Sequence, residues 1–321
     1  MTDRERFLAC VLGEPVDRPP YWLRWGPWGT TLERWKREGA DFGLLGEPRL
    51  LFEPETPPVP VPGFFGPYPA FEEKTLEETG EYRVFVDPWG VTRRAFKHRE
   101  SMPEFIDFPV KTRCDWEQYK EERLNPDDGG RLEGPWRDAL AVWPELGFPI
   151  QMGEFPDVGL YGGLRWLLGD EERLVAFCTD PDWVHEIMDH LTSLYLTVFD
   201  KMVRLVRIDV IHLWEDLCGR NGPLISPRQW EEFMGPCYRR IARFAREHDI
   251  RVFSVDTDGQ PDLIIPPMRA AGVNFLWPLE VAAGCDVNAM RAKYPGLAMM
   301  GGIDKRALAQ GPEAIDAELE R

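Results

Sequence analysis

The chain has 321 residues, 43% of them apolar, so it can bury a large core as a folded α/β protein. Its net charge of −17 repels nucleic-acid phosphates and anionic lipid headgroups, and no apolar run reaches the roughly 18 residues of a membrane span. The charged start MTDRERF lacks the apolar region of a secretory leader. We therefore expect a cytoplasmic protein that acts on a small molecule and binds neither nucleic acid nor membranes.

The first half of the chain is irregular. Strands are predicted at PVDRPPYWLRWG (15–26), LFEPETPPVPV (51–61) and PIQMGEF (149–155). Between the last two lies an insertion, residues 63–135, that is rich in proline and charge. Its turn DPWG (87–90) stands between two β-rich runs, which predicts a β-hairpin.

Strands and helices alternate through the second half. The sequence Thr179-Asp180-Pro181 provides a cap for a long amphipathic helix, and Ser226 with Gln229 has the pattern of a capping box for the next helix. Shorter helices are predicted near 261–271 and 287–293. The strands predicted here are IDVIHLWED (208–216), RVFSVD (251–256), NFLWPLE (274–280) and LAMMGGID (297–304).

This alternation is typical of a parallel sheet covered by helices, and the repeated spacing favours a closed (β/α)8 TIM barrel over an open sheet. We count seven strands, so either the predicted barrel lacks its last strand in this chain or one strand is not recognised from the pattern. Residues 1–321 are expected to form one barrel domain, with the insertion 63–135 after the second strand. Exposed helices rich in tryptophan are compatible with a homodimer.

Strand alternation places acids at one end of this barrel. Alternate residues share a face, so Ser254, Asp256 and Asp258 face the barrel axis if the apolar side meets the helices. The same rule predicts that His212, Trp214, Asp216 and Glu280 face inward, that Phe275, Trp277 and Leu279 face the helices, and that Glu215 and Asp304 lie at strand ends. Active sites of TIM barrels lie at the carboxyl ends of the strands. The convergence predicts a carboxylate-rich active site there.

Each residue also has a structural interpretation. An acid after a strand is often the N-cap of the following helix, and Asp304 is the weakest candidate for this reason. Glu215 and Asp216 could instead pair with Arg220. His212 in an apolar strand is more often a hydrogen-bonded core residue than a catalyst.

Three stretches resemble one enzyme family. These are RERFLACVLGEPVDRPPYWLR, HLWEDLCGRNGPLISPRQWEEFMGPCYRRI and MMGGIDKRALAQGPEAI, and they look like the uroporphyrinogen decarboxylase family. The resemblance implies a single (β/α)8 barrel with its site at the carboxyl ends of the strands. It also implies two activities, decarboxylation of porphyrinogens and methyl transfer between a corrinoid protein and a thiol or related acceptor.

The sequence departs from the decarboxylase pattern of that family. Arg24 matches the first of two arginines that grip an octa-acid, but the second falls within residues 25–28, which hold no basic residue. The aspartate expected after the second strand is also missing. A substrate with about eight carboxylates needs cationic clamps. The chain is therefore more similar to the methyltransferase-like branch.

The methyltransferase branch binds zinc through a His-x-Cys pair and a later cysteine. Asp256-Thr257-Asp258-Gly259 stands where that pair belongs, so hard oxygen ligands replace soft ones. Carboxylates suit magnesium or manganese, or zinc in an oxygen-rich site. Asp256 and Asp258 are thus candidate metal ligands, and a site for general acid-base chemistry is the alternative.

These observations lead to three hypotheses. In the first, the protein moves a methyl group between a small substrate and a corrinoid protein, with Asp256, Asp258, Glu280 and Asp216 as catalytic residues. The side chains expected to contact substrate are Arg24, Trp28, His212, Trp214 and Glu215. The second hypothesis is a decarboxylase or lyase with a remodelled site, and the third is a barrel that binds a small molecule without converting it.

Overall fold

The computed structural model describes residues 1–22, 27–40 and 55–321. Its strands are β1 (Val59–Pro60), β2 (Lys74–Glu78), β3 (Tyr82–Val86), β4 (Thr92–Phe96), β5 (Glu104–Asp107), β6 (Ile150–Met152), β7 (Val210–Trp214), β8 (Cys218–Gly219), β9 (Gly222–Pro223), β10 (Val252–Asp256), β11 (Phe275–Leu279) and β12 (Ala298–Gly301). Its α-helices are α1 (Asp3–Leu12), α2 (Gly29–Arg37), α3 (Arg113–Arg123), α4 (Tyr161–Leu168), α5 (Asp170–Thr179), α6 (Pro181–Val203), α7 (Pro227–Gln229), α8 (Gly235–Glu247), α9 (Ile265–Ala270), α10 (Val287–Lys293), α11 (Lys305–Leu308) and α12 (Pro312–Glu320). Short 3-10 helices occupy Gly129–Leu132, Pro135–Ala141, Trp143–Leu146 and Val281–Ala283, and the π-helical turn Trp230–Met234 joins α7 to α8.

The central sheet is parallel. Within the described ranges it holds six strands in the order β1-β6-β7-β10-β11-β12, and helices connect successive strands from β6 onward. This is the connectivity of an α/β barrel. The α/β class is therefore confirmed, and in this part of the chain the sheet stays open, with β1 and β12 as its edges.

Four predicted strands of the second half are confirmed as β7, β10, β11 and β12. The first half agrees less well. Residues 15–22 of the predicted first strand form no strand, and residues 23–26 lie outside the described residues. Of the strand predicted at 51–61, the structure describes residues 55–61 and shows only the two-residue β1.

The helix starts follow the sequence signals. The Asp180 side chain accepts a hydrogen bond from the Trp183 amide, and Pro181 occupies the first turn of α6. Both hydrogen bonds of the capping box between Ser226 and Gln229 are formed. Within the described residues, no helix combines the length and the apolarity needed to cross a bilayer.

The sheet separates two cores. Helices α4 to α10 pack on its outer face, where the buried residues include Ile211, Leu213, Val255 and Leu276. On the inner face a smaller apolar cluster contains Val210, Val252, Phe275, Trp277 and Ala298, and Phe7 and Leu8 of α1 pack against it.

The prediction that Phe275 and Trp277 face the helices was wrong. Phe275 pairs with Ser254 and Trp277 with Asp256, and paired residues of parallel strands point to the same face. A register shift between Leu276 and Leu279 then returns Leu279 to the outer core. Because every residue of FLWPL is apolar, the sequence contains no polar residue that marks the inner face.

The insertion forms its own antiparallel sheet, in the order β2-β3-β4-β5. The predicted hairpin is confirmed between β3 and β4, where the Asp87 carboxylate accepts the amides of Trp89 and Val91, both at 2.9 Å. Val91 is fully buried in a cluster with Trp166 and Trp214. The insertion therefore packs against the carboxyl end of β7.

Candidate active site

The strand ends that carry the acids lie side by side. Strands β7, β10 and β11 are neighbours, and Asp256 pairs with Trp214 on one side and Trp277 on the other. Main-chain hydrogen bonds continue beyond the strands, because the amides of Glu215 and Thr257 donate to the carbonyls of Asp256 and Trp277, both at 2.9 Å. The turns that follow the three strands are therefore held together at one edge of the sheet.

Asp258 lies at the mouth of this edge, where its side chain reaches solvent. Partial burial raises the pKa of its carboxyl group, and the negative charges of Glu280 and Asp216 raise it further, to about 6. The charge of Lys305 acts in the opposite direction but is the smallest of these effects. Both the protonated and the ionised form of Asp258 are therefore populated near neutral pH.

Glu280 is held through both of its carboxylate oxygens. Its Oε2 accepts the amide of Gly259 at 2.9 Å, and its Oε1 contacts Lys305 Nζ at 3.2 Å. Gly259 has a φ of +78°, and a Cβ atom there would lie 2.5 Å from the carbonyl oxygen of Gly219. Only glycine fits this turn, which places Asp258 beside Glu280.

Asp216 is positioned by an arginine of α4. Its backbone is left-handed, with a φ of +44°, and its carboxylate forms an ion pair with Arg165. Arg165 also reaches Asp170 at 3.3 Å, and its guanidinium lies 5.5 Å from the ring centroid of Phe105 in the insertion. These contacts fix the orientation of Asp216 next to Asp258.

The structure separates the two acids of the DTDG turn. Asp256 belongs to the end of β10 and is only 5% exposed, whereas Asp258 is exposed. The two residues were predicted to act together, but Asp256 lies in the interior layer beneath the mouth. Asp258, Glu280 and Asp216 form the cluster that faces solvent, and we call these three residues the acid cluster.

His212 belongs to a buried layer below the acid cluster. Its Nδ1 lies 3.1 Å from Ser254 Oγ, which also accepts a hydrogen bond from Trp277 Nε1 at 2.9 Å. The rings of His212 and Trp277 stack with their centroids 5.0 Å apart. With 1% exposure, His212 has the setting of a hydrogen-bonded core residue.

Of the two tryptophans predicted to line the pocket, Trp214 lies beside the site. It stacks on Trp166 at 5.4 Å and meets the exposed ring of Phe155 edge-on at 4.9 Å. Trp28 is 48% exposed and precedes α2. The described residues show no contact between Trp28 and the acid cluster. Arg24 lies outside the described residues.

Glu215 differs from the prediction that it contacts substrate. Its carboxylate is fully buried and accepts the amides at the start of α4, from Leu160, Tyr161 and Gly162, and the hydroxyl of Tyr238 at 2.7 Å. Burial raises the pKa of Glu215, and these hydrogen bonds oppose the increase. Such a carboxylate anchors a helix N-terminus and is closed to substrate.

Asp304 is the N-cap of helix α11, which confirms the structural alternative given for it above. Its side chain accepts the Arg306 amide at 2.9 Å and pairs with the Arg306 guanidinium at 2.6 Å. The side-chain hydrogen bond from Arg306 holds the pKa of Asp304 well below its usual value. Asp304 is therefore not a member of the acid cluster.

Sequence reasoning missed a second pair of acids. Glu154 and Asp157 follow β6, and burial together with the charge of Glu154 raises the pKa of Asp157 to about 7. Gln151 Nε2 donates to Glu154 at 3.0 Å. The signal was present in the stretch GEFPD, because Glu154 lies at the carboxyl end of the strand predicted at 149–155 and Asp157 follows it.

The described residues do not assemble a metal site. Among them, no group of three or more histidine, cysteine, aspartate or glutamate side chains is placed to hold an ion. Asp256 and Asp258 are not part of such a group in this part of the chain, and oxygen-ligated metals take several ligands, so their role as metal ligands stays a prediction. The arrangement suits proton transfer better, since one carboxyl group titrates near neutral pH beside two acids.

Residues 169–321 match the sequence model of the uroporphyrinogen decarboxylase (URO-D) family. No match was found among curated proteins. The matched range runs from α5 to the end of the chain and contains the whole acid cluster. The resemblance to this TIM-barrel family of enzymes is confirmed over residues 169–321.

Proposed function

We propose that the protein is an enzyme that removes a methyl group from an oxygen atom of a small neutral or cationic substrate and passes it to a corrinoid protein. Asp258 acts as the general acid. The observation that supports this proposal most is the raised pKa of Asp258 between Glu280 and Asp216 at the carboxyl edge of the sheet. An acid whose pKa lies near the working pH transfers protons efficiently.

In the proposed step, the bond between the methyl carbon and the substrate oxygen breaks as the methyl group bonds to an electron pair of the acceptor. The electrons of the broken bond stay on the oxygen, and Asp258 donates its proton to that atom. The reduced corrinoid of the partner protein would supply that electron pair. Glu280 and Asp216 favour reprotonation of Asp258, because their charges oppose its ionised form.

Charge supports a neutral or cationic substrate. In the described residues, the cations that contact the acid cluster are already paired, Arg165 with Asp216 and Lys305 with Glu280. A porphyrinogen with about eight carboxylates needs several cations free for bidentate contacts. The acid cluster repels such a substrate. Porphyrinogen decarboxylation is the second candidate, and the family match favours it.

Aromatic rings beside the acid cluster support the same substrate class. Phe155 is 39% exposed and packs edge-on against Trp214. Aromatic faces attract cations and stack on flat rings. A methylated phenol or a methyl ether that carries an ammonium group has the matching chemistry.

The test is a methyl-transfer assay with two probes, neutral 2-methoxyphenol and the cationic (2-methoxyethyl)trimethylammonium ion. A reduced corrinoid protein serves as acceptor, and release of the demethylated alcohol is measured against pH. We expect a rate that is constant below about pH 6 and falls tenfold per pH unit above it, because the acid must be protonated. Asp258→Asn should lower the rate by about 100-fold or more.

The control is Asp127→Asn, which changes an 84% exposed side chain and should keep the wild-type rate. Three results contradict the proposal. They are methyl transfer that survives Asp258→Asn, no transfer with either probe, and release of carbon dioxide from uroporphyrinogen without a corrinoid. The last result supports the second candidate.

A further inference from the structure

One region of this acidic protein is rich in cations. It consists of α2 and of β4 with the turn that follows it. Its acids are Glu33, Glu38 and Glu100, and its lysines and arginines are Arg34, Lys36, Arg37, Arg93, Arg94, Lys97 and Arg99. The local excess of positive charge contrasts with the net charge of −17 for the whole chain.

A cleft of about 700 Å³ lies between these two elements. It is lined by Gly29, Thr30, Glu33, Arg37 and the segment 96–100, and we call it the basic cleft. Its volume falls within the range of small-molecule sites, roughly 300–1,000 Å³.

Both acids of the basic cleft are committed to contacts with α2. Glu100 Oε2 accepts the amide and the hydroxyl of Thr30, both at 2.9 Å, and these hydrogen bonds lower its pKa. Glu33 pairs with Lys36 at 3.0 Å. These contacts turn both carboxylates towards α2, and in the described residues neither of them contacts Arg37 or Arg99.

Two guanidinium groups and one imidazole remain in the basic cleft. Lys97 is paired with Glu78 at 2.7 Å, but in the described residues no carboxylate contacts Arg37, His98 or Arg99. The guanidinium of Arg99 lies 4.4 Å from the ring centroid of Phe96. This cation–π contact holds one guanidinium in place at the wall of the cleft.

We propose that the basic cleft binds a small phosphate-bearing anion through Arg37, His98 and Arg99. A guanidinium group matches the oxygens of phosphate with two parallel hydrogen bonds. A phosphate ligand supplies the direct contacts to these guanidinium groups that Glu33 and Glu100 do not make. The cleft is formed by α2 and the insertion sheet, so this proposal is independent of the acid cluster and of the methyl-transfer reaction.

The test is equilibrium binding of pyrophosphate and of ADP to the full chain by isothermal titration calorimetry, at low and at high salt. We expect both probes to bind and to weaken with salt, because exposed charges are screened. The double variant Arg37→Gln/Arg99→Gln should weaken binding about tenfold or more, since two charge-assisted contacts are lost. The control Arg204→Gln/Arg228→Gln removes two exposed arginines elsewhere and should bind as the wild type does.

Circular dichroism at increasing temperature verifies that both double variants are folded. The proposal is overturned if neither probe binds, or if the two double variants bind equally well. It is also overturned if a hexaglutamate peptide binds in the cleft and pyrophosphate does not, because the site then recognises acidic polypeptide.

Discussion

Glu215 and Asp258 follow neighbouring strands of one sheet, yet their carboxyl groups have different surroundings. Glu215 is fully buried and accepts hydrogen bonds from three amides of the α4 start and from the Tyr238 hydroxyl. Asp258 reaches solvent beside two other acids, and its pKa is raised to about 6.

A position at the carboxyl end of a barrel strand therefore does not by itself make an acid catalytic. Hydrogen-bond donors stabilise the charge of Glu215 and offset part of the cost of its burial. The acids around Asp258 increase the cost of its charge. Glu215 therefore supports the fold, whereas Asp258 is available for proton transfer.

Removal of the Glu215 carboxylate should reduce the stability of the protein most. Glu215→Ala leaves three amides and the Tyr238 hydroxyl without their acceptor, and we expect the free energy of unfolding to fall by about 3 kcal/mol. Urea unfolding measures this free energy. Glu232→Ala, at an exposed position of the π-helical turn, should change stability by less than about 0.5 kcal/mol. Equal losses in the two variants contradict the structural role.

The turn that positions Asp258 is expected to be the next most sensitive. Gly259→Ala combines a φ of +78° with a Cβ position 2.5 Å from a carbonyl oxygen, which should cost about 2 kcal/mol of stability. Gly80→Ala is the matched control, because a Cβ there meets no atom within 4 Å. Thermal unfolding compares them, and a neutral Gly259→Ala contradicts the described turn.

Ionisation of Asp258 should lower the free energy of unfolding. Its pKa of about 6 in the folded state exceeds its usual 3.8, so the folded state holds more protons between these values and wild-type stability falls as pH rises through them. Asp258→Asn should therefore be more stable than wild type above pH 6 by about 0.5 kcal/mol, because solvent screens the site. The difference should vanish in more acidic solution. A less stable variant above pH 6 contradicts the acid cluster, and Asp127→Asn should show no such pH dependence.

Substitution of Arg165 should change only the pH at which Asp258 titrates, and by a small amount. Arg165→Gln removes the cation paired with Asp216, so the uncompensated charge of Asp216 should move the titration of Asp258 to higher pH. Arg165→Lys keeps the positive charge and should return the pKa of Asp258 towards its wild-type value. The midpoint of the Asp258 titration is measured by following its carboxyl resonance with NMR. A shift to lower pH contradicts this arrangement.

The sequence was sufficient where polar residues mark a strand face. His212 in β7 and Asp256 in β10 interrupt apolar runs, so the inward face of these strands was predicted correctly. Strand β11 is apolar throughout, and the alternation of polar and apolar residues therefore cannot predict its register shift. The inward position of Trp277 was missed for this reason.

For the site, the rule of strand ends predicted that Asp216, Asp258 and Glu280 meet, and the charges that raise the pKa of Asp258 agree with it. The partners of these acids could not be predicted. Arg165 precedes Asp216 by 51 residues and reaches it only through the docking of α4. The role of Glu215 depends in the same way on α4 and on Tyr238 of α8.

The most direct test of the acid cluster is the titration of Asp258 itself. Protein labelled with carbon-13 at the aspartate carboxyl groups can be followed by NMR from acid to neutral pH, in wild type and in Asp258→Asn. We expect one resonance with a midpoint near pH 6 that is absent from the variant. If the resonance that the variant loses titrates near the usual 3.8 instead, Asp258 is not the proposed general acid.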